Sequence, residues 1–358
     1  MNDKTAGRVR TAPDAPAPTG PTGPMEHGAS GSFTGRLLRV CLDVFVGVLA
    51  LGLVAGIAVL VAPDLLARFE QPALQAWGTV LAAVVIQGVP FLLLGTVVSA
   101  AVTTLVPDRV LARVLPRNPL LAVPVAGAAG ALLPGCECAS VPVAGSLIRR
   151  GVAPAAALTF LLAAPAVNPV VLVATSIAFP GRPEMVLARL LASLAASVAM
   201  GWLWLRLGRT EWLRLTDRPP AAAGRSRLDA FTRALQHDFL HAGGFLVLGA
   251  AAAATFNVAV PPSVLESFAG SPWLSVPLLG LLAVVLSICS EADAFVAASL
   301  SGFSPTARLS FMVVGPMVDL KLIALQSGTF GRAFALRFST ATFATAVLAA
   351  VLVGGWLL

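Results

Sequence analysis

Charged residues are scarce in this chain. Asp, Glu, Lys and Arg make up 11% of its 358 residues, whereas hydrophobic residues make up 57%. A soluble globular protein carries about 25% charged residues, so the composition excludes that class and favours a membrane protein. The chain also lacks a Walker A loop, a G-x-S-x-G elbow and an H-E-x-x-H helix. We therefore expect neither ATP hydrolysis nor the hydrolase chemistry of those motifs, and we predict that the protein is not an enzyme.

Cysteine is rare as well, and all four cysteines lie in or beside apolar stretches: Cys41, Cys136, Cys138 and Cys289. This placement excludes the disulfide framework of a small secreted protein. The net charge of +7 does not indicate nucleic acid, because the basic residues sit in short loops between apolar stretches, where they orient membrane helices. We expect the lipid bilayer as a partner, no nucleic acid and no cofactor.

Long apolar stretches are abundant. Several exceed the roughly 20 residues that a helix needs to cross a bilayer. They are 37–62, 76–106, 152–178, 184–207, 239–260 and 338–358, with shorter ones at 118–135, 274–288 and 306–325. The sequence therefore predicts an all-α, multi-pass protein of the cell (plasma or inner) membrane. Two polar segments interrupt this pattern: a Pro- and Gly-rich stretch, 1–36, predicted to be a disordered cytoplasmic tail, and a basic stretch, 208–238, predicted to be a cytoplasmic linker.

The basic residues fix an orientation. If the tail and the linker are cytoplasmic, the cytoplasmic segments hold 18 Lys and Arg and the external segments hold 2. Because positive charge accumulates on the cytoplasmic side of membrane proteins, this asymmetry predicts a cytoplasmic N-terminus.

The apolar region contains an internal duplication. Six residues recur 153 positions later. After a two-residue deletion, five more recur 151 positions later, and a sixth position pairs Asn with Asp. The first set is Pro119, Pro124, Gly127, Cys136, Ser146 and Leu147, which match Pro272, Pro277, Gly280, Cys289, Ser299 and Leu300. The second set is Gly151, Pro154, Leu158, Phe160, Pro165 and Asn168, which match Gly302, Pro305, Leu309, Phe311, Pro316 and Asp319.

The duplication predicts two repeats, which we call repeat 1 (75–207) and repeat 2 (239–358). Each has five membrane elements: two spans, a short segment, a broken span and a final span. Since five is odd, repeat 2 enters the membrane from the opposite side, and the repeats are predicted to be inverted, as in many secondary transporters. The stretch 37–62 is predicted to be a leading transmembrane helix outside the duplication.

The short segments and the broken spans mark the candidate site. Segments 139–148 and 292–300 have half the length of a span, so we predict half-helices or re-entrant hairpins facing protein or a wet cavity. Pro165 and Pro316 lie in the middle of their spans and are predicted to unwind them there. Asn168, followed by Pro169, and Asp319 come three residues after these prolines, which predicts a binding site between the repeats near the midplane.

Acids and cysteines cluster at the starts of the half-helices. Cys136, Glu137 and Cys138 precede the first, and Cys289, Glu291 and Asp293 precede the second. The C-x-C pair either contacts a soft metal or metalloid through its thiolates or packs as small apolar side chains. Charges are costly in hydrocarbon, so Asp319 either exchanges a coupling proton or forms an ion pair with Lys321 or Arg308. His237 and His241 share one helix face, but without a third ligand they are typical of an interfacial pair, and no resident metal is predicted.

Four segments together resemble the ArsP-type predicted permeases, a family that includes exporters of trivalent organoarsenicals. They are GCEC at 135–138 with L-x-R-x-G-V at 147–152, FLLAAPAVNP at 160–169, CSEADAFVAASL at 289–300, and FMVVGPMVDLK at 311–321. The resemblance covers roughly 75–358. It implies a polytopic permease whose counterpart functional residues are Cys136, Cys138, Pro165, Asn168, Cys289, Pro316, Asp319 and Lys321.

The sequence therefore favours a secondary-active permease that exports a soft metal(loid) or a thiol-reactive small molecule. Two alternatives stay open at this stage. One is a membrane thiol-redox enzyme or relay that uses the C-x-C pair. The other is the membrane subunit of a two-component permease, which would need a partner subunit. A homo-oligomer is compatible with each of these hypotheses.

Overall fold

A computed structural model describes residues 72–106, 116, 118–132, 136–215, 227–259 and 272–358. The predicted tail (1–36) and the predicted leading helix (37–62) lie outside these residues. Every regular element in the described part of the chain is a helix. The α-helices are α1 Pro72–Thr104, α2 Pro119–Ala129, α3 Glu137–Arg149, α4 Pro154–Val167, α5 Pro169–Ala178, α6 Pro183–Leu207, α7 Arg227–Ala259, α8 Pro272–Leu286, α9 Asp293–Ser299, α10 Pro305–Val314, α11 Leu320–Phe330 and α12 Arg332–Leu357.

Five helical segments among the described residues are long and apolar enough to cross a membrane. They are Pro72–Thr104, Pro154–Ala178, Pro183–Leu207, Leu228–Ala259 and Arg332–Leu357, and two shorter apolar helices cover Pro119–Leu132 and Leu274–Leu286. The prediction of an all-α polytopic membrane protein is confirmed.

The order of helices is the same in both halves of the described chain. A long helix, a short apolar helix, a half-length helix, a broken helix and a final long helix form α1–α6, and the same series forms α7–α12. Packing repeats as well: α4 contacts α2, α3 and α6, just as α10 contacts α8, α9 and α12. These contacts are those expected of a duplicated unit, and the inversion of one unit relative to the other stays a prediction.

The linker boundary differs from the sequence prediction. Helix α7 begins at Arg227, inside the predicted linker 208–238. The reason is an amphipathic pattern at its start, where Phe231, Ala234 and Leu235 are buried in a cluster with Ala100 of α1. Residues three and four apart lie on one helix face, so these side chains pack the first three turns of α7 against α1. These polar turns therefore belong to helix α7.

The predicted break at Pro165 is displaced. Helix α4 continues through Pro165 and ends at Val167. The break lies at Asn168, whose extended backbone (φ −71°, ψ 154°) is the conformation that the following Pro169 imposes. In repeat 2 the helix ends at Val314, and the turn that contains Pro316 leads to an extended Asp319 (φ −143°, ψ 171°). Both breaks thus end at the polar residue and not at the proline before it.

The half-helices pair across the two repeats. Helix α3 packs against α11, the second half of the broken helix of repeat 2, and α9 packs against α5, the second half of the broken helix of repeat 1. The long helices α1 and α7 also pack together, α1 against α3 and α7 against α11. Because each half-helix packs against a helix of the other repeat, the starts of the half-helices and the two breaks lie in one buried region.

Candidate functional site

Each break in a broken helix is capped by the polar residue that ends it. Asn168 Oδ1 accepts a hydrogen bond from the amide of Val171 at 3.0 Å, and Asp319 Oδ1 accepts one from the amide of Leu322 at 2.6 Å. Asn168 and Asp319 are completely buried. A helix N-terminus leaves unpaired N–H groups, and Asn and Asp are among the best side chains for satisfying them. The duplicated positions therefore perform the same structural task.

Three cysteines from the two repeats meet at the starts of the half-helices. Cys136 is the residue before α3, Cys138 lies in its first turn, and Cys289 precedes α9 in repeat 2. All three are free thiols in the protein interior. The thiol of Cys136 interacts with those of both Cys138 and Cys289. The C-x-C pair and its duplicated counterpart thus form one cluster at the junction of the repeats.

A carboxylate completes this cluster. The thiol sulfurs of Cys136 and Cys138 and a carboxylate oxygen of Glu137 all lie within 4.8 Å of one another. Glu137 Oε2 is buried and has no hydrogen-bond partner in the described part of the chain. Thiolates prefer soft cations, and a free carboxylate oxygen next to them adds a further negatively charged ligand. This donor set fits a thiophilic cation or metalloid.

Lys321 neutralises the acids around the thiols. Its ammonium donates to Glu137 Oε1 at 2.7 Å and lies 3.4 Å from Asp319 Oδ2. All three side chains are nearly or fully closed to solvent. Because Glu137 begins α3 and Lys321 lies in the first turn of α11, the ion pair joins repeat 1 to repeat 2 at the packed half-helices.

A second buried ion pair contains Arg189, a residue that the sequence analysis missed. The guanidinium donates to Asp293 Oδ2 at 2.7 Å, to Thr175 Oγ1 at 2.8 Å and to the carbonyl oxygen of Ser290 at 3.1 Å. Arg189 is completely buried. It reaches from α6 and binds both members of the pair α5–α9. The available signal was the position of Arg189 in the apolar stretch 184–207: unlike Arg206 near the end of that stretch, it has apolar residues on both sides, and a charge there is costly without a partner.

The other predicted site residues differ in burial. Glu291 is partly buried in the turn before α9, and its Oε2 atom has no hydrogen-bond partner among the described residues. Pro316 is buried in the turn before Asp319, and Pro165 is buried within α4. Pro169 is exposed on the outside of the helices, so it forms the break without facing the interior.

The histidine pair lies away from the thiols. His237 and His241 stack with ring centroids 6.0 Å apart, and His241 lies 3.0 Å from the carbonyl oxygen of Gly328. Asp238, between them, accepts a hydrogen bond from Ser99 of α1 at 2.9 Å. The pair thus belongs to the packing of α7 against α1 and α11, and it supplies no ligand to the cysteine cluster.

Apolar spans, duplicated helix order and broken helices with a polar buried centre define a membrane transport protein. The residues 73–355 match the family model ArsP_1, described as a predicted permease. The chain belongs to this family. The ArsP-type resemblance is thereby confirmed, and the protein is a permease, a transporter rather than an enzyme.

Two curated proteins are similar over most of their length. The "UPF0718 protein YcgR" of Bacillus subtilis (strain 168) is 33% identical over 278 residues, which cover 76% of this chain and 95% of that protein. A Streptococcus mutans protein named "Putative two-component membrane permease complex subunit" is 29% identical over 278 residues, 76% of this chain and 92% of that protein. No solved structure matches the chain.

Proposed function

We propose that this permease is a secondary-active exporter of a soft metal(loid) or a thiol-reactive small molecule, such as a trivalent organoarsenical. The observation that carries the proposal is the meeting of Cys136, Cys138 and Cys289, drawn from both repeats, beside an unpaired carboxylate oxygen of Glu137. Cargo would bind through these thiols between the two repeats. A donor set that spans two repeats is suited to alternating access, because their relative movement exposes the cargo to one side at a time.

The two ion pairs support a mechanism in which the repeats rock about this site. Glu137–Lys321 holds α3 against α11, and Arg189 holds α9 against α5. In the predicted orientation the first pair of half-helices leads to the cytoplasm and the second pair leads outside. Opening one side would separate one pair of half-helices while the other stays closed. Cargo at the thiols would also contact Glu137 and weaken its bond to Lys321.

Proton coupling is assigned to Asp319. Its Oδ1 atom caps α11, whereas Oδ2 lies 3.4 Å from the ammonium of Lys321 and has no hydrogen-bond partner among the described residues. A carboxylate that shares one lysine with Glu137 changes its protonation when that lysine moves, because a nearby cation favours the ionised form. Movement of Lys321 between the two acids would link cargo binding to proton exchange.

Transport of trivalent methylarsenic into everted membrane vesicles tests the cargo and the direction. We expect uptake that depends on a proton gradient and that is lost in the double variant Cys136→Ser/Cys138→Ser and in Cys289→Ser. Cys41→Ser, which changes a cysteine outside both repeats, is the matched control and should transport normally. Full uptake by the double variant would exclude the thiol site, and no uptake by the natural protein would exclude the arsenical cargo.

A two-component complex is the second candidate, and it is favoured by the name of the Streptococcus mutans relative. In that case the chain would supply the membrane path and need a partner subunit. Reconstitution of the purified chain alone in proteoliposomes distinguishes a self-sufficient exporter from a two-component complex. Transport by the chain alone would exclude an obligate partner, whereas transport only after co-expression with a neighbouring gene product would establish one.

The thiol-redox alternative has less support. The family description as a permease favours transport over redox chemistry. A redox titration that left Cys136 and Cys138 unchanged during transport would exclude a relay. Cycling of the pair between thiol and disulfide would favour it.

A further inference from the structure

An apolar groove lies between the final helices of the two repeats, away from the cysteine cluster. It has a volume of about 290 Å³, and its lining includes Met200, Leu203 and Leu207 of α6 together with Ala341 of α12. The base of the groove is buried and its edge is exposed, since Met200 is 3% exposed and Leu207 is 65% exposed. The cavity therefore opens sideways on the outside of the helices, where lipid surrounds a membrane protein.

Four aromatic rings form one end of this groove. Trp204 makes edge contacts with Trp212 at 6.2 Å, with Phe334 at 5.5 Å and with Phe338 at 6.4 Å between ring centroids. The guanidinium of Arg337 lies 5.0 Å above the ring of Trp212. Tryptophan and arginine at the end of an apolar surface are typical of the level of lipid headgroups. The aromatic end thus marks the membrane–water boundary of the groove.

The segment that carries Trp212 is held in place by the other repeat. The amide of Arg214 donates to the carbonyl oxygen of Phe330 at 3.0 Å, where α11 ends and α12 begins. This contact fixes the chain after α6 against the start of α12. The groove is consequently a formed feature at the junction of the repeats, with a defined polar end and a defined apolar end.

The polar end is strongly basic. Among the described residues 204–215 and 330–338 there are five arginines and a single acidic residue, Glu211. The arginines are Arg206, Arg209, Arg214, Arg332 and Arg337. The predicted orientation places this end at the cytoplasmic surface, whose leaflet carries anionic lipids that attract basic residues. The charge therefore complements an anionic headgroup and not a zwitterionic one.

We propose that this groove binds one anionic phospholipid. An acyl chain would occupy the apolar cavity between α6 and α12, and the phosphate would lie at Arg337 beside Trp212. Guanidinium groups bind phosphate oxygens with two parallel hydrogen bonds, which suits this residue for the contact. The bound lipid would touch the final helix of both repeats and stabilise their junction. This site is independent of the cargo and of the direction of transport.

Native mass spectrometry of the detergent-purified protein tests the proposal. Phosphatidylglycerol and phosphatidylcholine with identical acyl chains are titrated, and free glycerol phosphate is a third arm. We expect one phosphatidylglycerol per chain to be retained at least fivefold more strongly than phosphatidylcholine, without displacement by glycerol phosphate. Displacement by the free headgroup would show a phosphate site and overturn the lipid assignment.

Variants locate the binding. Arg337→Gln removes the headgroup contact and Ala341→Phe fills the cavity, so each should abolish the preference for phosphatidylglycerol. Arg182→Gln, an exposed arginine just before the opposite end of α6, is the control and should leave it unchanged. Because Ala341→Phe could disturb packing, its folding is checked by size-exclusion elution. Equal retention of both lipids, or full retention of phosphatidylglycerol by folded Arg337→Gln and Ala341→Phe, would overturn the proposal.

Discussion

Lys321 and Glu137 are 184 positions apart in the sequence and form a 2.7 Å hydrogen bond between ammonium and carboxylate in the protein interior. Neither charge is duplicated: Ser290 stands at the position equivalent to Glu137, and Val170 stands at the position equivalent to Lys321. Arg189 and Asp293 form a second pair between the repeats from other positions. The two repeats thus share the same order of helices, but the ion pairs on the two sides of the site differ.

Removal of Lys321 should destabilise the protein strongly. Lys321→Met leaves Glu137 and Asp319 as buried acids without their cation, and breaking a buried ion pair costs about 3–5 kcal/mol. We expect a large drop in the melting temperature in detergent. The double variant Glu137→Gln/Lys321→Met should regain part of this loss, because one of the two stranded acids is neutral. A double variant no more stable than Lys321→Met would show that the pair does not hold the repeats together.

Replacement of Arg189 by lysine should distinguish the role of its positive charge from the role of its hydrogen-bonding geometry. Lysine keeps the charge but lacks the planar fork, so it cannot donate to Asp293, Thr175 and the Ser290 carbonyl together. We expect Arg189→Lys to fold with lowered stability and to lose most of its transport. Arg206→Lys, at the end of the same helix, is the control and should resemble the natural protein. Full transport by Arg189→Lys would show that charge alone is sufficient at this position.

Asp319 can be tested for capping and for proton coupling independently. Asparagine is an equally good helix cap, whereas alanine is not, so Asp319→Asn should keep its stability and Asp319→Ala should lose about 0.5–2 kcal/mol. Only the ionisable group is absent from Asp319→Asn. We expect its transport to lose its dependence on the proton gradient across a series of pH values.

The equivalent cap in repeat 1 supplies the comparison. Asn168→Ala should be destabilised as Asp319→Ala is, but its transport should keep the normal dependence on the proton gradient. If Asp319→Asn transports normally over the whole pH series, proton exchange must occur at another residue.

Gly95 should tolerate no side chain. A Cβ there would lie 2.4 Å from the Cα atom of Ala139 in α3, a contact with rigid backbone. We expect Gly95→Ala to shift the half-helix that carries Cys138, to lose transport and to destabilise the protein by about 1–3 kcal/mol. Gly244→Ala is the control, because its Cβ meets nothing within 4 Å. It should be neutral or stabilised by up to about 1 kcal/mol, as alanine favours helix.

The helical architecture could be predicted because its signals are local. The length of the apolar stretches predicts the spans, and the matching positions of the duplication predict the same order of helices in both repeats. The helix break at Asp319 was expected within a few residues. The break predicted at Pro165 is wrong by three residues, because a helix can continue through one proline, whereas Pro169 forces Asn168 out of the helical region.

The partners of the buried charges could not be predicted in the same way. Which acid pairs with Arg189 depends on the packing of α6 against distant helices, and periodicity contains no information about that packing. The ion pair expected for Asp319 with Lys321 is present at 3.4 Å, but Lys321 lies closer to Glu137, a contact between repeats that no local pattern indicates. Composition alone predicts a linker at the polar first turns of α7, and only the helical spacing of Phe231, Ala234 and Leu235 indicates a helix there.

The half-helices on the two sides of the site have unequal lengths. Helices α3 and α11 have 13 and 11 residues, whereas α9 and α5 have 7 and 10. At about 1.5 Å per residue, the first two extend roughly 16–20 Å from the thiols and the other two roughly 10–15 Å. In the predicted orientation, the proposed cargo site therefore lies closer to the outer surface. A charged cargo released outward would then cross the smaller share of the membrane voltage, and a proton entering from outside would likewise reach Asp319 across the smaller share.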